Sequence, residues 1–418
     1  MQRGRIRGLI PRDREVWLFL IYSAAFHIGL LGVADVVMNF YFVSLGHDPE
    51  VIGLLQSQPR LAGLLTSLPL GLLATRMGVH RMLTLSTIGV TVSMLLKVAM
   101  PTLPMMTATQ FALGVFYGGQ QIAIAPMMIS LVPSQRRTRF FAVHNVIAMA
   151  TMAVGSFIGG YLPAFVVRLA QPSGAVLTPE SGQTPAAYGA TIIIGAVIVV
   201  AGLVPFWFVR TGRKPRGPKI VAETTEPTPW RQLMLFAVPM LAFGFTGGLT
   251  FPFYNLFFRT RFELPDESVG IILSIGWMGM ALIPLLNPWW ERRFGRARAL
   301  GIILSIAATA FLLMAASPTL GLCVIAFVAA ISFRNGMQPL FQPLVLDRLS
   351  PALHNNASSM SMVMWNIGWY IATLMSGFLQ KNFGFGVVLT IVAVGVFITA
   401  ACVVLIFQRY EPLTLKRA

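Results

Sequence analysis

Arg76-Met77-Gly78-Val79-His80-Arg81 sits between two long apolar runs, and Arg293-Phe294-Gly295-Arg296-Ala297-Arg298 sits between two more. The two stretches stand 217 residues apart. The same offset joins Pro101-Thr102-Leu103 to Pro318-Thr319-Leu320, Pro126 to Pro343 and Gly160 to Gly377. A chain that repeats itself across nearly its whole length, each copy a series of apolar segments, reads as two copies of one membrane unit. Duplicated membrane halves are the pattern of alternating-access carriers, whose solute site lies between the repeats near mid-bilayer.

Composition supports that class. Hydrophobic residues are 56% of the chain and charged residues 11%, against about 45–50% and about 25% in soluble domains. The net charge of +17 raises the question of a nucleic-acid partner. The basic residues, however, cluster in short tips between apolar runs, where they record insertion topology; no nucleic acid is expected. Cys323 and Cys402 lie inside apolar segments and offer neither a disulfide framework nor zinc spacing. No G-x-x-x-x-G-K-[ST] stretch is present, so ATP-driven transport has no sequence support. No cofactor is expected, and no enzyme activity.

A helix crosses a bilayer with about 20 apolar residues. Twelve such runs are predicted. The first six are 16–45, 51–75, 81–100, 103–131, 138–169 and 188–210. The second six are 231–258, 267–290, 297–316, 319–348, 355–380 and 385–408. With both termini in the cytoplasm, twenty-four Lys and Arg fall inside and four outside. That asymmetry predicts a multi-pass plasma-membrane protein with cytoplasmic ends. The expected division is a bundle over 1–210, a cytoplasmic linker over 211–230 and a second bundle over 231–418. A polar loop is expected over 171–187.

The loop Gly71-Leu-Leu-Ala74-Thr75-Arg76-Met-Gly78-Val-His-Arg81 resembles the signature loop of the major facilitator superfamily, G-x-L-A-D-R-x-G-R-K. Its copy runs from Asn287 through Arg293, Gly295 and Arg298. The resemblance implies that family's fold: an all-α membrane protein, twelve helices in two pseudo-symmetric six-helix bundles. In the family the loop's aspartate belongs to a charged cytoplasmic latch. Thr75 and Arg292 stand there in this chain, so an altered latch is expected. Gln110-Phe-Ala-Leu-Gly114 occupies the place of an Arg-x-x-x-Gly motif without its arginine. Gly155-Ser156-Phe-Ile-Gly159-Gly160 resembles the G-P-x-x-G-G of exporters and suggests the drug or metabolite efflux branch. Small residues there also permit close helix packing.

Ionisable residues inside spans are functional suspects. Asp35 and Arg60 stand at equal distance from the turn near 47–48, which predicts a buried Asp35–Arg60 pair at one depth. The pair reads as a fixed ion pair, a substrate contact or, through Asp35, a proton site. Arg334 in span ten is the repeat partner of Tyr117 in span four. By the resemblance, spans one, four, seven and ten line the cavity. Tyr117 then shares a face with Gln121, and Arg334 with Gln338. Asn39 and Asn255 add a matching pair. The rival reading is hydrogen-bond glue between helices. His27, His144, Asn145, Trp277, Asn366 and Tyr370 are weaker candidates, and Lys97 is expected to reach the headgroups from the end of span three.

The expected activity is secondary transport of a small solute by rocker-switch alternating access, in the efflux direction and with protons as a candidate coupling ion. The excess of Arg60 and Arg334 over Asp35 favours neutral amphipathic or anionic substrates. Uptake, or a non-transporting receptor on the same scaffold, are the alternatives. The molecule is expected to be a monomer in the lipid bilayer.

Overall fold

The computed structural model describes residues 13–170, 183–210, 230–347, 349 and 353–408. Most of the predicted linker and of the polar loop lie outside the described residues. Among those described, every regular element is helical. Consecutive helices joined at kinks give α1 (Arg14–Ser44), α2 (Pro49–Met77), α3 (Val79–Ala99), α4 (Leu103–Leu131), α5 (Arg137–Ala170) and α6 (Pro185–Trp207). The second series is α7 (230–262), α8 (Asp266–Phe294), α9 (Arg296–Ala316), α10 (320–346), α11 (354–383) and α12 (385–408). The last two are parted by Gly384, at φ 75°. Nine described helices, α11 and α12 counted together, are long and apolar enough to cross a membrane. Large exposed apolar side chains such as Leu68, Leu169, Ile325 and Leu405 are the surface that lipid covers.

Local chemistry sets the ends. Gly46 closes α1 at φ 85°. Asp48 then caps α2, its Oδ1 accepting the Val51 N–H at 3.0 Å, with Pro49 in the first turn. Thr184 caps α6 through the Ala187 N–H at 3.2 Å. The signature loops turn at Gly78 and Gly295, whose φ values of 86° and 76° suit glycine alone.

The chain forms two compact units. The described residues of 1–47, 61–219 and 258–274 make unit one, and those of 48–60, 220–257 and 275–418 make unit two. Each unit therefore takes in one segment from the other half of the sequence: the start of α2 packs within unit two, and the start of α8 within unit one.

The core of unit one joins Phe19, Tyr22, Leu83, Met127, Phe140 and Phe206. Above it α1 changes register: His27–Ala34 is π-helical between two α-helical stretches. Such an inserted residue is usual near functional sites. The π segment lies hard against its neighbours. A Cβ on Gly32 would stand 2.5 Å from Gly155 Cα, and one on Gly159 2.8 Å from the Val33 carbonyl. A Cβ on Gly29 would meet the Gly195 carbonyl at 2.4 Å. Gly155 and Gly159 of the span-five motif thus allow α5 to touch the widened stretch of α1, and Gly160 faces Gly270 of α8.

Candidate functional site

Polar side chains in an apolar bundle need partners, and the partners found here sort the sequence candidates. In unit two, α2 brings the Arg60 guanidinium over two tryptophans of α11. It lies 4.7 Å from the Trp365 ring centre and 4.3 Å from that of Trp369. Trp365 and Trp369 stand one helical turn apart, on one face, and pack edge-on at 5.2 Å. Phe251 of α7 covers Trp369 at 5.6 Å and reaches Trp277 of α8 at 5.0 Å. The Trp365 Nε1–H is buried and unbonded. Cation and aromatic faces together form a platform suited to a planar or negatively charged group.

Arg334 lies behind that platform, buried in unit two. Its Nη2 donates to the Phe243 carbonyl and, at 3.3 Å, to Thr246 Oγ1, with the guanidinium 4.0 Å from the Phe243 ring centre. Its Nε has no acceptor. Gly247 brings α7 close: a Cβ there would stand 2.6 Å from Arg334 Nη2 and 2.8 Å from Trp369 Cζ3. Gly247 thus lies against both Arg334 and Trp369, the tryptophan that also carries Arg60.

In unit one the largest surprise is Lys97. Expected at the headgroups, it is fully buried; its Nζ donates to Gln110 Oε1 at 2.6 Å and approaches Met38 Sδ at 3.7 Å. The stem turns inward because Gln110 offers an acceptor where the family's motif has an arginine. Asp35 is exposed at the first residue after the π segment, and Arg60 is half-buried. The expectation of burial is corrected at its acid end: Asp35 is exposed where α1 leaves the π segment.

Gln121 Nε2 donates to Tyr117 Oη at 2.6 Å, so those two share a face as expected. Arg334 and Gln338 do not. α10 breaks after Asn335, where Asn287 Nδ2 holds the Gly336 carbonyl at 2.9 Å; Arg334 is buried and Gln338 exposed. Asn39 and Asn255 are both buried in their own units. In the signature loops Gly71, Arg76, Arg81, Arg293 and Arg298 stand at or near helix ends. The second copy carries an ionic cluster in which Arg296 joins Glu291 and Asp347. Among the described residues no carboxylate pairs with Arg76 or Arg81.

Sequence reasoning passed over Trp365, Trp369 and the bond from Lys97 to Gln110. The tryptophan spacing of four on a helix was the available signal for the first two. It also passed over Tyr22, whose hydroxyl donates to Gln120 Oε1 at 2.8 Å beside Thr87. A cavity of about 710 Å³ against α9, α10 and α12 is lined mostly by apolar residues, with Ser305, Thr309 and the charged Arg298 among them. It holds none of the platform residues.

The family model of the Major Facilitator Superfamily matches residues 19–254 and again 236–417. The niacin transporter NiaP of Acinetobacter baylyi is 31% identical over 121 residues, 29% of this chain and 27% of that protein. The matched stretch thus spans about a quarter of the curated relative. Among solved structures, a bacterial homolog of the human lysosomal transporter Spinster, inward-facing and unoccupied, superposes with a TM-score of 0.69 at 14% identity, covering 96% of this chain and 98% of that one. A variant of the nucleoside transporter NupG superposes with a TM-score of 0.72 at 16% identity, covering 94% and 100%. These likenesses at low identity concern the fold.

Proposed function

The chain belongs to the major facilitator superfamily; on that premise we propose that it transports a small-molecule solute across a membrane, as a secondary carrier of neutral or anionic planar solutes working by alternating access. The observation that carries this reading is the Arg60 guanidinium laid on Trp365 and Trp369, with Arg334 behind the same tryptophan. Two cations among aromatic faces suit a carboxylate or a polarised heterocycle. An organic cation would meet like charge there. Niacin, named for the matched relative, is a heteroaromatic acid of that kind.

Asp35, Asn39, Asn255, Tyr117, Gln121 and Gln338 are proposed as further pathway residues. The proposed direction is export, on the resemblance of Gly155, Gly159 and Gly160 to the exporter motif. The proposed orientation has both ends in the cytoplasm of a plasma-membrane monomer, on the Lys and Arg asymmetry. The proposed division remains 1–210, 211–230 and 231–418.

Counterflow in proteoliposomes tests the substrate class, with nicotinate, uridine and tetraethylammonium as probes. Exchange of nicotinate or uridine without tetraethylammonium is expected. Exchange of the cation alone would overturn the class, and binding without exchange of any probe would favour a receptor. Probe loading on either face of oriented vesicles reads the direction.

A further inference from the structure

One polar cluster has no part in the platform. On α1, His27 Nδ1 lies 2.7 Å from the Ser23 carbonyl oxygen one turn earlier. A carbonyl only accepts, so Nδ1 carries the hydrogen and Nε2 is the nitrogen that exchanges a proton. Ser23 Oγ stands 2.8 Å from Nε2 of His144 on α5 and 3.4 Å from His27 Nδ1. The two rings meet edge-on, 6.1 Å apart. A serine hydroxyl can donate to a neutral His144 and accept from a protonated one, so the same contact serves both charge states.

Position adds a second, independent observation. His27 opens the π-helical segment and Asp35 directly follows its last residue. Both rings are half-buried. We infer that His27, Ser23 and His144 form a proton-binding site that takes up one proton between two rings, and that this is the coupling site of the carrier. The inference rests on the proposed transport function for its role, but not for its chemistry.

Other titratable groups stand on these helices and their neighbours. On α1 are Tyr22, engaged with Thr87 and Gln120, and Asp35 beyond the π segment. On α5 is Arg137, two turns before His144. On α4 is Tyr117, stacked on Phe26 at 6.3 Å. On α3 are Lys97, held by Gln110, and His80, stacked on Phe206 of α6; Tyr188 of α6 is bonded to Asp266. Among the described residues no carboxylate bonds either ring. His27 is the titratable ring that meets His144, 6.1 Å away. Two imidazolium ions so close repel one another, so protonation of one ring opposes protonation of the other.

Nitrogen NMR of the full-length protein in liposomes, labelled at its histidines, tests the site without any solute. The chain has 5 histidines, which keeps the spectrum assignable, with His27→Gln and His144→Gln as assignment variants. The two rings are expected to titrate as a coupled pair, in two steps more than about one pH unit apart. Two equal, independent titrations, or rings that hold one tautomer throughout, would overturn the inference. The wild-type curve shows the two steps by itself, so a variant that fails to fold leaves the test intact. Loss of coupled titration with solute exchange preserved would remove the proton site and leave the carrier. Coupled titration without exchange of any solute would do the reverse.

Discussion

Two helix crossings, one in each unit, share a backbone contact and differ in what clamps it. In unit two, Gly53 of α2 meets Gly377 of α11; a Cβ on Gly53 would lie 3.2 Å from Gly377 Cα. In unit one, Gly160 of α5 meets Gly270 of α8, with 3.0 Å from a Cβ on Gly160 to Gly270 Cα. Gly53 and Gly270 are 217 apart, as are Gly160 and Gly377. The second crossing is the repeat image of the first. Beside Gly377, Lys381 Nζ donates to Asp48 Oδ2 at 2.9 Å and Glu50 Oε2 at 3.0 Å, all three side chains more than 40% exposed. Beside Gly270, Asp266 is buried; it accepts from Tyr188 Oη at 2.7 Å and stands 3.5 Å from Arg259 Nη1. Arg259 in turn donates to Tyr188 Oη and Gln183 Oε1, over the face of Phe40. Duplication kept the small residues that let backbones touch, while the charges around them diverged. Backbone approach tolerates no side chain, whereas a clamp can be rebuilt from whatever residues border it.

That contrast can be broken most forcefully at Arg259. Arg259→Gln leaves the buried Asp266 without its cation, which costs about 3–5 kcal/mol and is read as a lowered unfolding midpoint in detergent. A midpoint unchanged from wild type would show that the two clamps are equivalent after all. Next come the glycines. Gly377→Ala drives a methyl to 2.3 Å from the Pro49 carbonyl and Gly160→Ala to 2.7 Å from that of Asp266. Each is expected to lose about 1–3 kcal/mol, Gly377→Ala more, by the same melting assay.

The smallest effect belongs to the exposed clamp. Lys381→Gln should shift the midpoint least, and the shift should vanish in high salt. Its pH dependence has a definite sign. The hydrogen bond from Lys381, then the Val51 N–H, holds the Asp48 carboxyl below its ordinary range. A depressed carboxylate contributes above its unfolded value, about 3.9, and loses that contribution as pH falls through the lower folded value. The Lys381→Gln and wild-type melting curves should therefore converge in acid, from about pH 4 downward.

Both crossings were half legible from the amino-acid order. Gly160 and Gly377 stood out by their offset, and the apolar runs marked where helices begin and end. The exchange of the α2 and α8 starts between units was not legible, since no local pattern says which neighbour a helix end will choose. Lys97 misled for a physical reason: near a helix end a long side chain can reach the headgroups, and only the tertiary position of Gln110 shows that it turns inward. The π segment of α1 was hidden too, because Gly29, Gly32 and Gly155 declare a close contact only once α5 is in place. Arg60 was singled out as an ion in a span, yet its aromatic bed lies some three hundred residues away in sequence.

The proposed substrate class turns on that bed. Its most direct trial is nicotinate counterflow by wild type beside Arg60→Gln and Arg60→Lys, all three reconstituted at equal density. Exchange by the wild type, with a loss of at least about tenfold in the glutamine variant and partial retention in the lysine variant, is the predicted outcome; tenfold corresponds to about 1.4 kcal/mol, within what a charged hydrogen bond or cation–π contact supplies. Undiminished exchange by Arg60→Gln would contradict it.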